Sequence, residues 1–324
     1  MELKNPRKIC VMHQASIGDT LLATPVYRAI KKKYPSCKLV VVTSHVGMEL
    51  LNDNPYIDEM IPYQKGDSAW KVIRTIWRAD AAIILDYHYR NALYAFLAMI
   101  PQRIGRGKDF INRKVHDDDP LLYEPLKDLH VAAVVGADSD DVRLTPLSPT
   151  KDELSHVRTR LASIQNDGQK LVIVVPHSLS PLKDWEPEKY RELICRFQHQ
   201  GWAVVMLGGK NERSRIAEEY PMAVNMAGDL SLRESAVLIA SADLQISGCT
   251  AMLHVCATTD TPSIALYGPT VPEQWAPKRN CHVITKRFPC APCYSTGREC
   301  GDNRCIRAIQ VDDVWDAIKE MDFV

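Results

Sequence analysis

The sequence predicts an α/β protein with two doubly wound parallel sheets, one in each half of the chain. Three observations carry this reading. Short apolar runs rich in β-branched residues, of buried-strand length, alternate with segments of helical periodicity. Some of these runs end in small-residue turns that lead straight into a helix, as at Ala15-Ser16-Ile17-Gly18-Asp19 and Gly248-Cys249-Thr250. The pattern breaks around Pro146 and Pro149 and then starts again. A length of 324 residues suits two domains of ordinary size.

In the first half, residues 9–12 form a strand, and Leu21, Leu22, Pro25, Val26, Ala29 and Ile30 recur at helical spacing. Further strands are expected at 38–43, 59–62 and 81–85, with a short edge strand at 103–105. Helices are expected at 46–51, 69–78 and 91–99. The turn between the first strand and helix organises the rest. It sets backbone N–H groups and a helix N-terminus at a strand's carboxyl end, where open α/β sheets bind ligands. Asp19 stands at its mouth beside Gly18. Two roles are open to it: an N-cap, or a carboxylate kept ionised by helix N–H groups that takes a proton from a bound hydroxyl.

The 40 basic and 40 acidic residues cancel, which argues against a nucleic-acid partner held by bulk charge. No run of eighteen apolar residues exists, and no apolar signal core follows MELKNPRK, so a cytoplasmic protein is expected, at most peripheral to the inner face of a membrane. Against this neutral background, Arg103, Arg106, Lys108, Arg113 and Lys114 cluster around Gly105 and Gly107. Such a run is either a solvated loop or a clamp for an anionic acceptor, a phosphorylated sugar or lipid headgroup. Residues 117–120 read as a loop.

The second half repeats the alternation. A helix at 151–164 precedes a strand at 171–176, a polar loop at 177–185, and a helix that Pro187 opens without loss of a hydrogen bond. A strand at 202–207 ends in Gly208-Gly209-Lys210-Asn211-Glu212 before a helix at 212–220. A helix at 230–240, a strand at 243–247, a helix at 251–257, a strand at 262–266 and a terminal helix at 311–321 complete it. The expected domains are 1–160 and 165–310, the latter with a cysteine-rich segment at 288–306, followed by a C-terminal helix at 311–324. Two nucleotide-type folds of this kind place an active site in the crevice between them. No Gly-x-Gly-x-x-Gly follows any strand, which disfavours a dehydrogenase.

In order along the chain, IGDTLLATPVYRAIKKKYP, NPYIDEMIPY, PHSLSPLKDWEPEKYRELI, VVMLGGKNE, LSLRESAVLIASADLQIS and PSIALYGPT resemble the blocks of glycosyltransferase family 9, the ADP-heptose:lipopolysaccharide heptosyltransferases. The resemblance covers nearly the whole chain. It implies a GT-B fold of two Rossmann-like domains facing across a cleft, an acceptor-binding N-terminal domain and a C-terminal domain for a nucleotide-diphosphate sugar. The chemistry it implies is inverting transfer to a lipopolysaccharide core or related glycan or lipid-linked acceptor, with no cofactor in the reaction. By this resemblance Asp19 is the base, and Lys183 neutralises the departing diphosphate. Ser178, Ser180, Gly209, Glu212, Leu230, Cys249, Thr250, Ala251 and His254 are expected at the donor, and Gly18 with the basic cluster of Arg103, Arg106, Lys108 and Arg113, read from its charge, at the acceptor.

One position departs from the family pattern. Cys249 stands where the family carries an aspartate that bonds the donor sugar, so the donor is either ADP-heptose or another sugar nucleotide, and a non-catalytic sugar-nucleotide-binding protein is the other alternative. Cys290, Cys293, Cys300 and Cys305 have a spacing suited to a structural zinc or iron held by four thiolates, with free thiols and disulfides as the competing readings.

Overall fold

A computed structural model describes residues 2–64, 66–116, 119–293, 300, 302–321 and 323. The chain divides between Ser148 and Pro149 into two units.

Unit 1 runs β1 (Lys8–His13), α1 (Ile17–Leu22), α2 (Thr24–Lys33), β2 (Lys38–Thr43), α3 (His45–Leu51), β3 (Glu59–Pro62), α4 (Ala69–Thr75), β4 (Ala81–Ile84), α5 (Tyr89–Leu97), β5 (Gln102–Gly105), β6 (Arg113–Lys114) and α6 (Glu124–Ala133). Its six strands are parallel, in the order β3-β2-β1-β4-β5-β6. Period-two alternation sends Ile9 and Val11 of β1 to a core shared with α2 and α6, and Cys10 and Met12 to the core under α4 and α5. Both faces are covered, which is why the strands read as unbroken apolar runs.

Unit 2 runs α7 (Lys151–Ala162), β7 (Leu171–Val175), α8 (Pro187–His199), β8 (Ala203–Met206), α9 (Arg213–Glu219), β9 (Val224–Asn225), α10 (Leu232–Ala240), β10 (Leu244–Gly248), α11 (Ala251–Cys256), β11 (Ser263–Tyr267), α12 (Pro272–Trp275), β12 (Cys281–Thr285), α13 (Arg304–Arg307) and α14 (Val311–Glu320). Short 3-10 turns stand at Pro181–Lys183 and Lys210–Glu212. The strand order β12-β11-β10-β7-β8-β9 is that of unit 1 read from the other edge. Helix α7 starts on a Thr150–Glu153 capping box and docks on α10 through an Arg233–Glu153 ion pair at 2.7 Å.

Several elements differ from the sequence reading. The first helical stretch is two helices. Pro25 has no N–H to give the Leu21 carbonyl, which instead accepts from Thr24 Oγ1 at 2.7 Å, and the chain turns at Ala23. The strand at Gln102–Gly105 is interior, because Arg113–Lys114 pairs outside it and takes the edge. Helix α6 and strand β12 are absent from the sequence reading and both are present; Pro125 and Glu124 in the first turn of α6 are start signals that reading passed over.

Candidate active site

Each sheet changes direction once. In unit 1 the chain adds strands outward from β1 on one side and then from β4 on the other, so β1 and β4 flank the switch point. Loops diverge there and leave a crevice at the strands' carboxyl ends. A pocket of about 400 Å³ occupies that position, lined by residues from the turns after β1 and β4 together with Arg106, Glu124 and Asp128.

Asp19 lines this pocket and is half-buried. It is not the N-cap. Ser16 holds that position, and Asp19 is the third helical residue, its Oδ2 accepting from Ser16 Oγ at 2.8 Å. Gly18, beside it, is buried within α1. Asp86, directly after β4, faces the same pocket and accepts from Gln14 N at 3.1 Å, His88 N at 3.1 Å and Asn91 Nδ2 at 2.6 Å. Burial pushes its carboxyl above the usual range. His13 is buried, and its Nδ1 has no hydrogen-bond partner among the described residues. Burial, reinforced by the Arg106 cation, lowers its imidazole to about 4 and keeps it neutral.

Of the four basic residues expected at the acceptor, Arg106 alone is in the lining. Its guanidinium meets Asp128 at 2.6 Å and Glu124 at 3.2 Å, donates to the Leu85 carbonyl at 2.9 Å and lies over the Tyr87 ring. Its charge is matched within the fold by two carboxylates from a helix absent from the sequence reading. Arg103 donates to the carbonyls of Phe110 and Ile100, Arg113 donates to Gln102 Oε1 at 3.3 Å, and Lys108 is exposed.

In unit 2 the switch point falls between β7 and β10. The loop after β7 carries Ser178, Ser180 and Lys183; the turn after β10 is Gly248-Cys249-Thr250. They touch: a Cβ on Gly248 would lie 3.1 Å from the Lys183 carbonyl oxygen. Asp184 holds the loop by accepting from Ser178 N and Ser178 Oγ, both at 2.9 Å, and Ser178 Oγ also donates to the Ser180 carbonyl at 2.7 Å. Behind it, buried His177 stands between Asp184, 3.3 Å from Nδ1, and Glu219, 3.0 Å from Nε2 but without hydrogen-bond alignment. Trp185 anchors the loop's end, donating to the Ile309 carbonyl at 3.0 Å.

Thr250 occupies the N-cap position of α11, which Ala251 opens, and Thr250 Oγ1 is buried without a partner among the described residues. His254, one turn along, is buried, with Nδ1 also unpartnered. Burial and the nearby Lys183 cation lower it to about 4. Cys249 turns into an apolar cluster with Leu253, Ala265, Tyr267 and Ala276, a setting that accepts a thiol and penalises a carboxylate. Glu212 Oε2 accepts from Gly209 N at 2.6 Å, closing the turn after β8, and Leu230 is half-buried just before α10.

Among the described residues the cysteines at 290, 293, 300 and 305 form no disulfide. Burial pushes the Cys293 thiol up, with Cys300 and Cys290 close enough to add to it, and Cys305 rises for the same reasons. Among the described residues no three His, Cys, Asp or Glu side chains converge as ligands of one metal; residues 294–299 and 301, which join these cysteines, lie outside the description. The sequence reading did not assign a role to Asp86, His13, His177 or Asp184. Asp86, His13 and His177 each carried the same signal, a titratable side chain directly after a buried strand.

Two parallel doubly wound units, each with its polar loops gathered at a switch point, are the architecture of a GT-B fold. Residues 69–302 match the model of "Glycosyltransferase family 9 (heptosyltransferase)", and the chain belongs to that family. It is similar to lipopolysaccharide heptosyltransferase 2 of Salmonella typhimurium, 26% identical over 293 residues that cover 82% of this chain and 84% of that protein. Among solved structures, it superimposes on a family 9 glycosyl transferase from Veillonella parvula with a TM-score of 0.86 at 20% identity, covering 99% of this chain and 98% of that one. The ADP-heptose lps heptosyltransferase II of E. coli gives 0.80 at 22% identity, over 97% and 98%. Among the described residues no helix is long and apolar enough to cross a membrane.

Proposed function

We propose that this glycosyltransferase transfers heptose from ADP-heptose to a lipopolysaccharide-core acceptor with inversion, using Asp19 as the general base. The observation that carries the reading is Asp19 in the pocket at the β1–β4 switch point. The acceptor hydroxyl gives its proton to the Asp19 carboxylate as its oxygen attacks the anomeric carbon, and the bond to the diphosphate breaks on the opposite face. Lys183, near His254, meets the charge that develops on the leaving group, with Thr250 Oγ1 as a further donor. Neutral His254 can donate or accept a hydrogen bond without adding charge. Gly209, Glu212 and Leu230, on the loops after β8 and β9, fit the nucleoside, and the Arg103, Lys108 and Arg113 surface fits the anionic outer part of the acceptor.

Asp19→Asn keeps the side chain's shape and removes its basicity. Transfer should fall about 10²–10⁴-fold in kcat, with donor binding unchanged by titration calorimetry. A variant that keeps wild-type kcat sinks the reading. A donor other than ADP-heptose is favoured by one observation, the burial of Cys249 in an apolar cluster where the family carries an aspartate. A thermal-shift panel of ADP-, GDP- and UDP-sugars separates the two, since the true donor raises Tm most. Binding without turnover on any acceptor would instead mark a non-catalytic binding protein. The cysteine group has donors suited to a structural zinc or iron, although the described thiols do not converge; metal content of the purified protein near one equivalent supports that centre, and content near zero removes it.

A further inference from the structure

Behind the loop that carries Ser178 and Lys183 lies a cluster of titratable side chains that no step of the transfer uses: His177, Asp184, Arg215 and Glu219. The His177 side chain, two residues past β7, is 3% exposed. Its ring nitrogens face carboxylates from different elements. Nδ1 lies 3.3 Å from Asp184 Oδ2, and since a carboxylate oxygen accepts, Nδ1 carries the proton of that bond. Nε2 lies 3.0 Å from Oε2 of Glu219, the last residue of α9. Arg215, one turn earlier on α9, spans the same two groups from the solvent side, 3.6 Å from Asp184 Oδ2 and 2.8 Å from Glu219 Oε1. The imidazole faces Tyr220 with ring centroids 6.2 Å apart; Tyr190 meets Tyr220, and Trp185 meets Tyr190, edge-on behind it. A ring packed in this way has little freedom to turn.

Asp184 closes the loop. Its Oδ1 accepts from Ser178 N and Ser178 Oγ, so residues 178–184 form a ring of chain tied at both ends, with the 3-10 turn and Lys183 inside it. Within that ring the Lys183 N–H donates to the Ser180 carbonyl at 2.9 Å and the Asp184 N–H to the Pro181 carbonyl at 3.2 Å. These bonds set its shape. Its place on unit 2 is exacting as well, because the Lys183 carbonyl stands 3.1 Å from where a Cβ on Gly248 would be. Asp184 Oδ2, which Ser178 leaves unused, is the oxygen that His177 and Arg215 hold against α9. Helix α9 starts at Arg213, next to Glu212 in the turn after β8. One imidazole therefore ties the loop read as the diphosphate site to the element read as the nucleoside site.

We propose that His177 is a positioning residue for glycosyl transfer: its Nδ1 bond to Asp184 fixes the 178–184 loop on α9 and so aims Ser178 and Lys183 at the donor's diphosphate. This role rests on the donor reading above, and His177 itself touches no substrate. Misplacing such a group by about 1 Å costs about 10²-fold in rate.

An asparagine amide matches the Nδ1 edge of the ring and a glutamine amide the Nε2 edge, so the two substitutions separate the contacts. In steady-state transfer from ADP-heptose by the full chain, His177→Ala and His177→Gln should each lower kcat about 10²-fold. His177→Asn should stay within about threefold of the wild type, and the acceptor KM should be unchanged in all three. In titration calorimetry His177→Ala should weaken ADP about tenfold and leave adenosine within about twofold, because only the diphosphate contacts are misaligned. ADP weakened no more than adenosine marks a merely structural residue and overturns the proposal. Equal kcat in the Asn and Gln variants does the same, even if His177→Ala fails to fold. Lys183→Ala tests the donor reading by itself. If it keeps wild-type kcat and ADP affinity, or if the wild type does not bind ADP, that reading falls and takes the positioning role with it. If Lys183→Ala loses both while the His177 variants lose neither, the positioning role alone is overturned.

Discussion

Arg106 offers the sharpest separation between a residue that binds ligand and one that builds the pocket. Its side chain is 4% exposed, and that of Asp128, 2.6 Å away, is 3% exposed. Replacing Arg106 with Met keeps much of the volume and takes the guanidinium away from buried Asp128, while Glu124 keeps the Lys127 ammonium at 3.2 Å. Removing one partner of a buried pair costs about 3–5 kcal/mol, because the remaining charge stays desolvated. In a unit of this size such a loss lowers Tm by about 10 °C. Differential scanning fluorimetry and urea titration read it directly. Arg106→Lys should recover only part, since an ammonium cannot span Asp128, Glu124 and the Leu85 carbonyl with one planar fork. Asp128→Leu added to Arg106→Met should recover more, because it removes the stranded carboxylate. If Arg106→Met keeps the wild-type Tm while the acceptor KM rises tenfold or more, the guanidinium serves the acceptor and the packing argument is wrong.

Two further outcomes follow from burial and from close approach. His13 and His254 titrate near 4 in the fold and near 6.5 when unfolded, so the unfolded chain binds the extra protons between those values. Stability is therefore flat above about pH 7 and falls by about 1.4 kcal/mol per pH unit for each histidine as pH drops from 6.5 toward 4. Asp86, pushed up by burial, works in the opposite sense over the lower part of that window. Urea midpoints from pH 7.5 to 4.5 should show the loss, and His254→Gln should remove one histidine's share of the slope; an unchanged slope contradicts the assignment. At Gly248, an alanine Cβ would press on the Lys183 carbonyl at 3.1 Å, and a backbone atom yields only if the loop moves. Gly248→Ala should weaken ADP binding about tenfold in calorimetry with a Tm change of only a few degrees; unaltered affinity would mean that the loop's position does not matter to the donor.

The alternation of buried strands with helical runs, the small-residue turns and Asp19 in one of them are legible in order along the chain. These signals are local: each reports whether a side chain is buried or a turn is tight, at a spacing of two to four residues. Periodicity also hid one break, since Leu21 to Ile30 keeps helical spacing through Pro25 while the backbone does not. What the tertiary structure alone decided is adjacency. The reversal that puts β1 beside β4, and β7 beside β10, is a matter of hydrogen-bond pairing between strands that are far apart in sequence. The capture of Arg106 by Asp128 spans 22 residues and depends on α6, which Pro125 and Glu124 open and Gly136 follows, although no side chain caps its N-terminus. A basic cluster therefore reads as a clamp from sequence, and folding matched its central member to two carboxylates. Which charge faces water and which faces its opposite is decided by desolvation, and desolvation belongs to the packed chain.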